Sequence, residues 1–162
     1  MNIKNLISLL ASTALCGFMS LAHAQVPQYG ANINQAQTQK ALAGALAEAQ
    51  KLNIPFAITV VDTGGNLVGF IRNDNTQIGS IGVSQDKATS AALYRRPTKV
   101  FQDLVAGGGV GLRVLTLRGA NAVEGGIPLT LDGKIIGAIG VSGGTAEQDG
   151  VVAKAGLDAM GK

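Results

Sequence analysis

The chain has one cysteine, one histidine and no tryptophan among its 162 residues. Cys16 and His23 both fall within the first 24 residues, which carry the three zones of a cleavable export signal. Lys4 gives a weakly positive start, Leu6 to Leu21 a mostly apolar stretch, and Ala22-His23-Ala24 the small residues that a signal peptidase reads. Ser8, Ser12, Thr13, Gly17 and Ser20 interrupt the apolar stretch, which falls short of the roughly 20 apolar residues of a membrane span. Cleavage is therefore expected in preference to a retained anchor, and bulky Leu15 argues against a lipoprotein at Cys16. The expected destination is periplasmic or secreted. Cleavage after Ala24 leaves residues 25–162 with no thiol and no imidazole, which excludes a disulfide, a cysteine nucleophile and a histidine base. Zinc sites built from Cys and His are excluded with them.

Aromatic residues are also scarce, two Tyr and four Phe. Platforms that stack nucleic-acid bases need more of them. Charge is sparse and balanced. Removing Lys4 from the 13 Lys+Arg leaves 12 against 10 Asp+Glu, a formal charge of +2. That balance predicts neither nucleic acid nor an anionic membrane as a partner once the signal is gone. Asp62, Asp74, Asp86, Glu124, Asp132 and Asp149 are scattered, and no ligand spacing among them identifies a metal.

What is present reads as one α+β domain over residues 34–162, preceded by a loose leader over 25–33. Leu42, Leu46, Ala49 and Leu52 fall at helical spacing, with Asn34 as N-cap and Asn53 as stop. Residues 56–61 and 67–72, joined by the glycine turn at 62–66, predict a hairpin. A second helix is expected from about Gly79 to Leu93, and a short third helix opens at Pro97. The stretch 112–123 is part strand and part loop by its pattern. Residues 127–131 and 134–141 flank Asp132-Gly133, the strongest turn signal in the chain. Thr145 and Gln148 form a capping box for a last helix to about Met160. Gly69 and Gly137 occupy matching positions in the two hairpins, where a packed helix or a ligand approaches the sheet. The expected architecture is an antiparallel β-sheet with flanking helices.

Two motifs suggest catalysis and lack its partners. Gly140-Val141-Ser142-Gly143-Gly144 has the form of a serine nucleophile elbow, but residues 25–162 hold no histidine to activate it. Its glycines equally suit a sharp turn into the last helix. Ser84-Gln85-Asp86-Lys87 matches a serine–lysine pattern without its companion motifs, so ordinary helix residues are expected there. The run Gly107–Gly111 lacks the lysine of a phosphate loop. No catalytic residue is assigned, and an enzyme is the less favoured reading.

Five blocks in order resemble the GlcG/HbpS family of small bacterial proteins. They are 60–68 (VVDTGGNLV), 85–91 (QDKATSA), 96–98 (RPT), 125–128 (GGIP) and 136–149 (IGAIGVSGGTAEQD). The resemblance covers about residues 34 to 160. It implies a profilin-like fold, homo-oligomers and a small-ligand-binding module for haem or a related tetrapyrrole. Some members of that family are extracellular haem-binding proteins linked to redox sensing. Others are encoded with glycolate oxidation genes or fused to corrinoid-handling enzymes.

Without histidine, the axial donors left for haem iron are Tyr29, Tyr94 and Met160. Tyr94 stands beside Arg95 and Arg96, which can face propionates, and Thr98 offers a hydroxyl. The candidate ligand-binding residues are thus Tyr94, Arg95, Arg96, Thr98 and Lys87. Tyr94 as a core residue beside solvated arginines is the structural alternative. A different reading makes the protein an enzyme or accessory for small hydroxy acids, with Lys87, Asp86 and Arg96 around a carboxylate pocket. A structural oligomer without a ligand is the third.

Overall fold

A computed structural model describes residues 26–161. The expected export signal, with Cys16 and His23, lies outside the described residues. Helix α1 (Gln35–Leu52) starts where Asn34 and Gln37 exchange hydrogen bonds of 2.9 Å between side chain and backbone, a full capping box. It stops at Asn53, whose φ of 53° ends the helical run. Strands β1 (Ala57–Asp62) and β2 (Leu67–Arg72) form the first hairpin. Helices α2 (Gly79–Tyr94) and α3 (Thr98–Ala106) follow, then a 3-10 segment at Gly109–Thr116. Strands β3 (Gly126–Leu131) and β4 (Lys134–Ser142) make the second hairpin. Its turn residues Asp132 and Gly133 both have positive φ, 50° and 74°, as a two-residue hairpin turn demands. Helix α4 (Ala146–Asp158) opens with the Thr145–Gln148 capping box, and a 3-10 turn, Ala159–Gly161, is the last described element.

The strands lie in the order β2-β1-β4-β3, each pair antiparallel. This is the α+β class expected from the sequence. The ambiguous stretch 112–123 supplies no further strand to this sheet. It is 3-10 helix and turns, entered through Gly108 and Gly109 at positive φ and left at Gly119, also positive. The leader is tied down rather than loose. Gly30 and Ile33 donate to the carbonyls of Ile135 and Ile136 at 2.7 Å, and Ile135 donates to Gln28 at 2.8 Å. Ile33 is buried there, which offsets the entropy lost in ordering the segment.

Alternation along the strands sends side chains to two helical layers. Ile58, Val60, Ile139 and Val141 join the core with α1 and α4, against Ala41, Ala45, Val152 and Ala153. Val61 and Ala138 face the other way, onto Ala88, Ala91 and Ala92 of α2. Small residues let α2 settle almost onto the sheet. A Cβ at Gly140 would run into the backbone of Ser84 and Ala88. Gly69 is covered by Thr38 and Leu42 of α1, so a packed helix explains it, while Gly137 is closed by the Val61 carbonyl and Ile33.

Candidate functional site

Both tyrosines of the described residues meet at the C-terminal end of α2. Its cap is Arg95, a non-glycine residue at φ 54° and ψ 39°, a conformation that costs about 1–2 kcal/mol. Tyr29 supports it from the leader. The Tyr29 hydroxyl lies 2.9 Å from the Ala92 carbonyl and 3.1 Å from that of Leu93, taking up terminal acceptors of the helix. The Arg95 guanidinium sits over the Tyr29 ring, 5.5 Å from its centroid.

On the other side of the junction, the Tyr94 hydroxyl donates to the Arg118 carbonyl at 2.7 Å. The Tyr94 ring meets Phe101 edge to face at 5.2 Å. Arg96 lies over Phe101 at 5.6 Å and donates its Nε–H to the Tyr94 carbonyl at 3.1 Å. The negative end of the helix dipole favours both arginines here. Tyr94, Arg95 and Arg96 are all half-buried. Thr98 is close in sequence but fully buried, and its Oγ1 accepts the Gly126 N–H at 2.9 Å. It fixes α3 to β3 and does not offer its hydroxyl outward.

Lys87 stands two turns before Tyr94 on α2, about 10 Å along the axis. Its ammonium is buried, donating to an Asp149 oxygen at 2.6 Å and to the Val141 carbonyl at 3.1 Å. The other Asp149 oxygen accepts the N–H groups of Gly143 and Gly144, each at 3.0 Å. Burial pushes the Asp149 carboxyl above its ordinary range, against the pull of Lys87 and of the two glycine N–H groups. The carboxylate pocket expected from Lys87, Asp86 and Arg96 is not assembled. Lys87 is committed to Asp149, Arg96 to Phe101, and exposed Asp86 lines a separate cleft with Thr89 and Asn121. Sequence reasoning missed Asp149 as the lysine's partner. Its position four residues after the Thr145 cap was the available signal, because the first helical turn points side chains back toward the preceding glycines.

The serine motifs are structural here. Ser142 is buried and its Oγ donates to Ser80 at 3.1 Å. Ser84 pairs with Thr59 at 2.8 Å, not with Lys87. A cleft of about 380 Å³ opens nearby, between Pro97 and Lys99, Gly125 to Ile127, and Gly150 and Val151 of α4. Its floor backs onto the buried ion pair. A Cβ at Gly125 would press on both Asp149 and the Lys87 ammonium.

Residues 33–158 match the family model described as haem-degrading protein, HbpS-like. The chain belongs to the HbpS-like family. It is 39% identical to GlcG of Escherichia coli K12 over 110 residues, covering 68% of this chain and 81% of GlcG. Its fold superposes on the PduOC–haem complex with a TM-score of 0.71 at 27% identity, covering 79% of this chain and 94% of that one. It superposes on a double mutant of HbpS from Streptomyces reticuli with a TM-score of 0.74 at 25% identity, covering 83% and 91%. The resemblance drawn from the five sequence blocks is thereby confirmed.

Among the described residues the side chains able to ligate haem iron are the Tyr29 and Tyr94 phenols and the Met160 thioether. Tyr94 fits best, being followed directly by Arg95 and Arg96, neither of which takes part in an ion pair among the described residues.

Proposed function

We propose that this protein is an exported, non-catalytic binding module for haem or a related tetrapyrrole, acting as a homo-oligomer. The observation that carries the reading is the gathering of Tyr94, Arg95 and Arg96 at one helix end, with Tyr29 beneath Arg95. Tyr94 would hold the iron through its phenol oxygen, and the two guanidiniums would face the propionates. When bound, haem would supply a redox-active iron centre. Family membership and the haem complex of PduOC support the ligand class. Serine hydrolysis receives no support from the geometry, since neither Ser142 nor Ser84 is bonded to a base. Export rests on the pattern of residues 1–24. The hydroxy-acid reading receives no support from the geometry, because its three residues stand apart.

Titration of residues 25–162 with haemin tests this. A saturable Soret shift with about one haem per one or two subunits supports binding. A non-saturating response at all protein concentrations contradicts it. The mass of the protein recovered from the periplasm or medium tests cleavage after Ala24, and light scattering tests the oligomer.

A further inference from the structure

The near-neutral charge of the whole chain conceals a segregated end. From Leu104 to Val123 the sequence contains no aspartate and no glutamate, but it contains Arg113 and Arg118, both exposed. Neither arginine takes part in an ion pair among the described residues. The preceding carboxylate, Asp103, is matched by Lys99 at 2.8 Å. Arg95 and Arg96 add two cations at the adjoining helix junction, joined to this stretch through the Tyr94–Arg118 hydrogen bond.

The same stretch exposes apolar side chains. Val110 is 77% exposed and Leu115 66%, with Leu104, Leu112 and Leu117 also exposed. Val110, Leu112 and Leu115 ride on a 3-10 segment of eight residues, a length that 3-10 hydrogen bonding sustains poorly, while Leu104 belongs to α3 and Leu117 follows the segment. Gly108 and Gly109 on one side and Gly119 on the other, all at positive φ, set it apart as a unit. Buried Val114 and the close packing of Gly111 on the Leu104 carbonyl hold it against α3.

Exposed leucine and valine beside arginines outside any ion pair along one short stretch match the chemistry of a bilayer interface. Apolar side chains enter the acyl boundary while guanidiniums meet headgroup phosphates. We infer that residues 104–118 dock this protein onto an anionic lipid surface. A second copy of the chain fits less well. A two-fold pairing of this stretch with itself would offer Arg113 and Arg118 no carboxylate, since residues 104–123 contain none. Nucleic acid fits less well too, because the stretch has no aromatic side chain for stacking. The inference stands on this surface alone and does not require haem.

The test uses residues 25–162, which contain every element of the fold and omit the apolar signal stretch. Co-sedimentation is measured with vesicles of phosphatidylcholine alone and of phosphatidylcholine mixed with phosphatidylglycerol. The expected result is binding to the mixed vesicles that weakens with added salt. Both the Arg113→Glu/Arg118→Glu variant and the Val110→Ser/Leu115→Ser variant should lose it by roughly tenfold or more, with unchanged melting curves. Equal binding to both vesicle types, or none to either, overturns the proposal. So does light scattering in which Leu115→Ser dissociates an oligomer while wild type ignores vesicles.

Discussion

The Lys87 ammonium and the Asp149 carboxylate lie 2.6 Å apart with both side chains removed from solvent. The pair joins α2 to the start of α4 across the end of β4, where Val141 also accepts from Lys87. Its carboxylate additionally gathers the glycine turn that the sequence presents as a nucleophile elbow. Catalytic-looking residues thus serve to close the fold.

Breaking one side of this pair strands the other in the interior. Lys87→Ala and Asp149→Ala are each expected to lose about 3–5 kcal/mol of stability, measured by urea unfolding. Lys87→Met combined with Asp149→Leu should lose clearly less than the sum of the two. A Lys87→Ala variant as stable as wild type contradicts a buried pair.

Glycine positions along the α2 contact should split by what a Cβ meets. Gly140→Ala forces strand backbone away from α2 and is expected to cost about 3 kcal/mol. Gly82 is exposed within α2, and a Cβ added there meets nothing within 4 Å. It should accept alanine with a gain of about 0.5–1 kcal/mol. Midpoints that move in the same direction for both variants contradict this packing.

Thr98→Val removes the acceptor of the Gly126 N–H in a fully buried place and should cost about 1–3 kcal/mol. Thr98→Ser keeps the hydroxyl and should recover most of that loss. Equal stability of the valine and serine variants contradicts the role.

Acid sensitivity has an identifiable contributor in the first hairpin. Desolvation pulls the Asp62 carboxyl upward, but hydrogen bonds from Asn66, Gly64 and Gly65 outweigh it, so it titrates below its ordinary 3.8. The folded state then binds fewer protons than the unfolded one. The stabilisation is present above 3.8 and is lost as pH falls through the folded value. The stability advantage of wild type over Asp62→Asn should therefore shrink as pH drops below about 4. An advantage constant with pH contradicts this.

Much of this fold was legible because local chemistry and tertiary packing agree. Asn34, Asn53, Thr145 and the Asp132-Gly133 turn each mark an element boundary by a rule that needs no partner. The leader and the stretch 112–123 were not legible. Tyr29 and Ile33 are held by contacts with α2 and β4, distant in sequence, and the 3-10 segment has neither periodicity. The site was half legible. Adjacency alone brought Tyr94, Arg95 and Arg96 together, whereas Tyr29 joins them across 63 residues from Ala92. Lys87 looked available because nothing in its own helix reveals Asp149, 62 residues away.

The most direct test of the haem reading is the electronic and resonance Raman spectrum of the ferric haemin complex of residues 25–162, compared with that of Tyr94→Phe. Phenolate ligation through Tyr94 predicts a high-spin spectrum with a phenolate-to-iron charge-transfer band that Tyr94→Phe abolishes and Tyr29→Phe retains. A low-spin spectrum of two nitrogen ligands, or a spectrum unchanged by Tyr94→Phe, would contradict it.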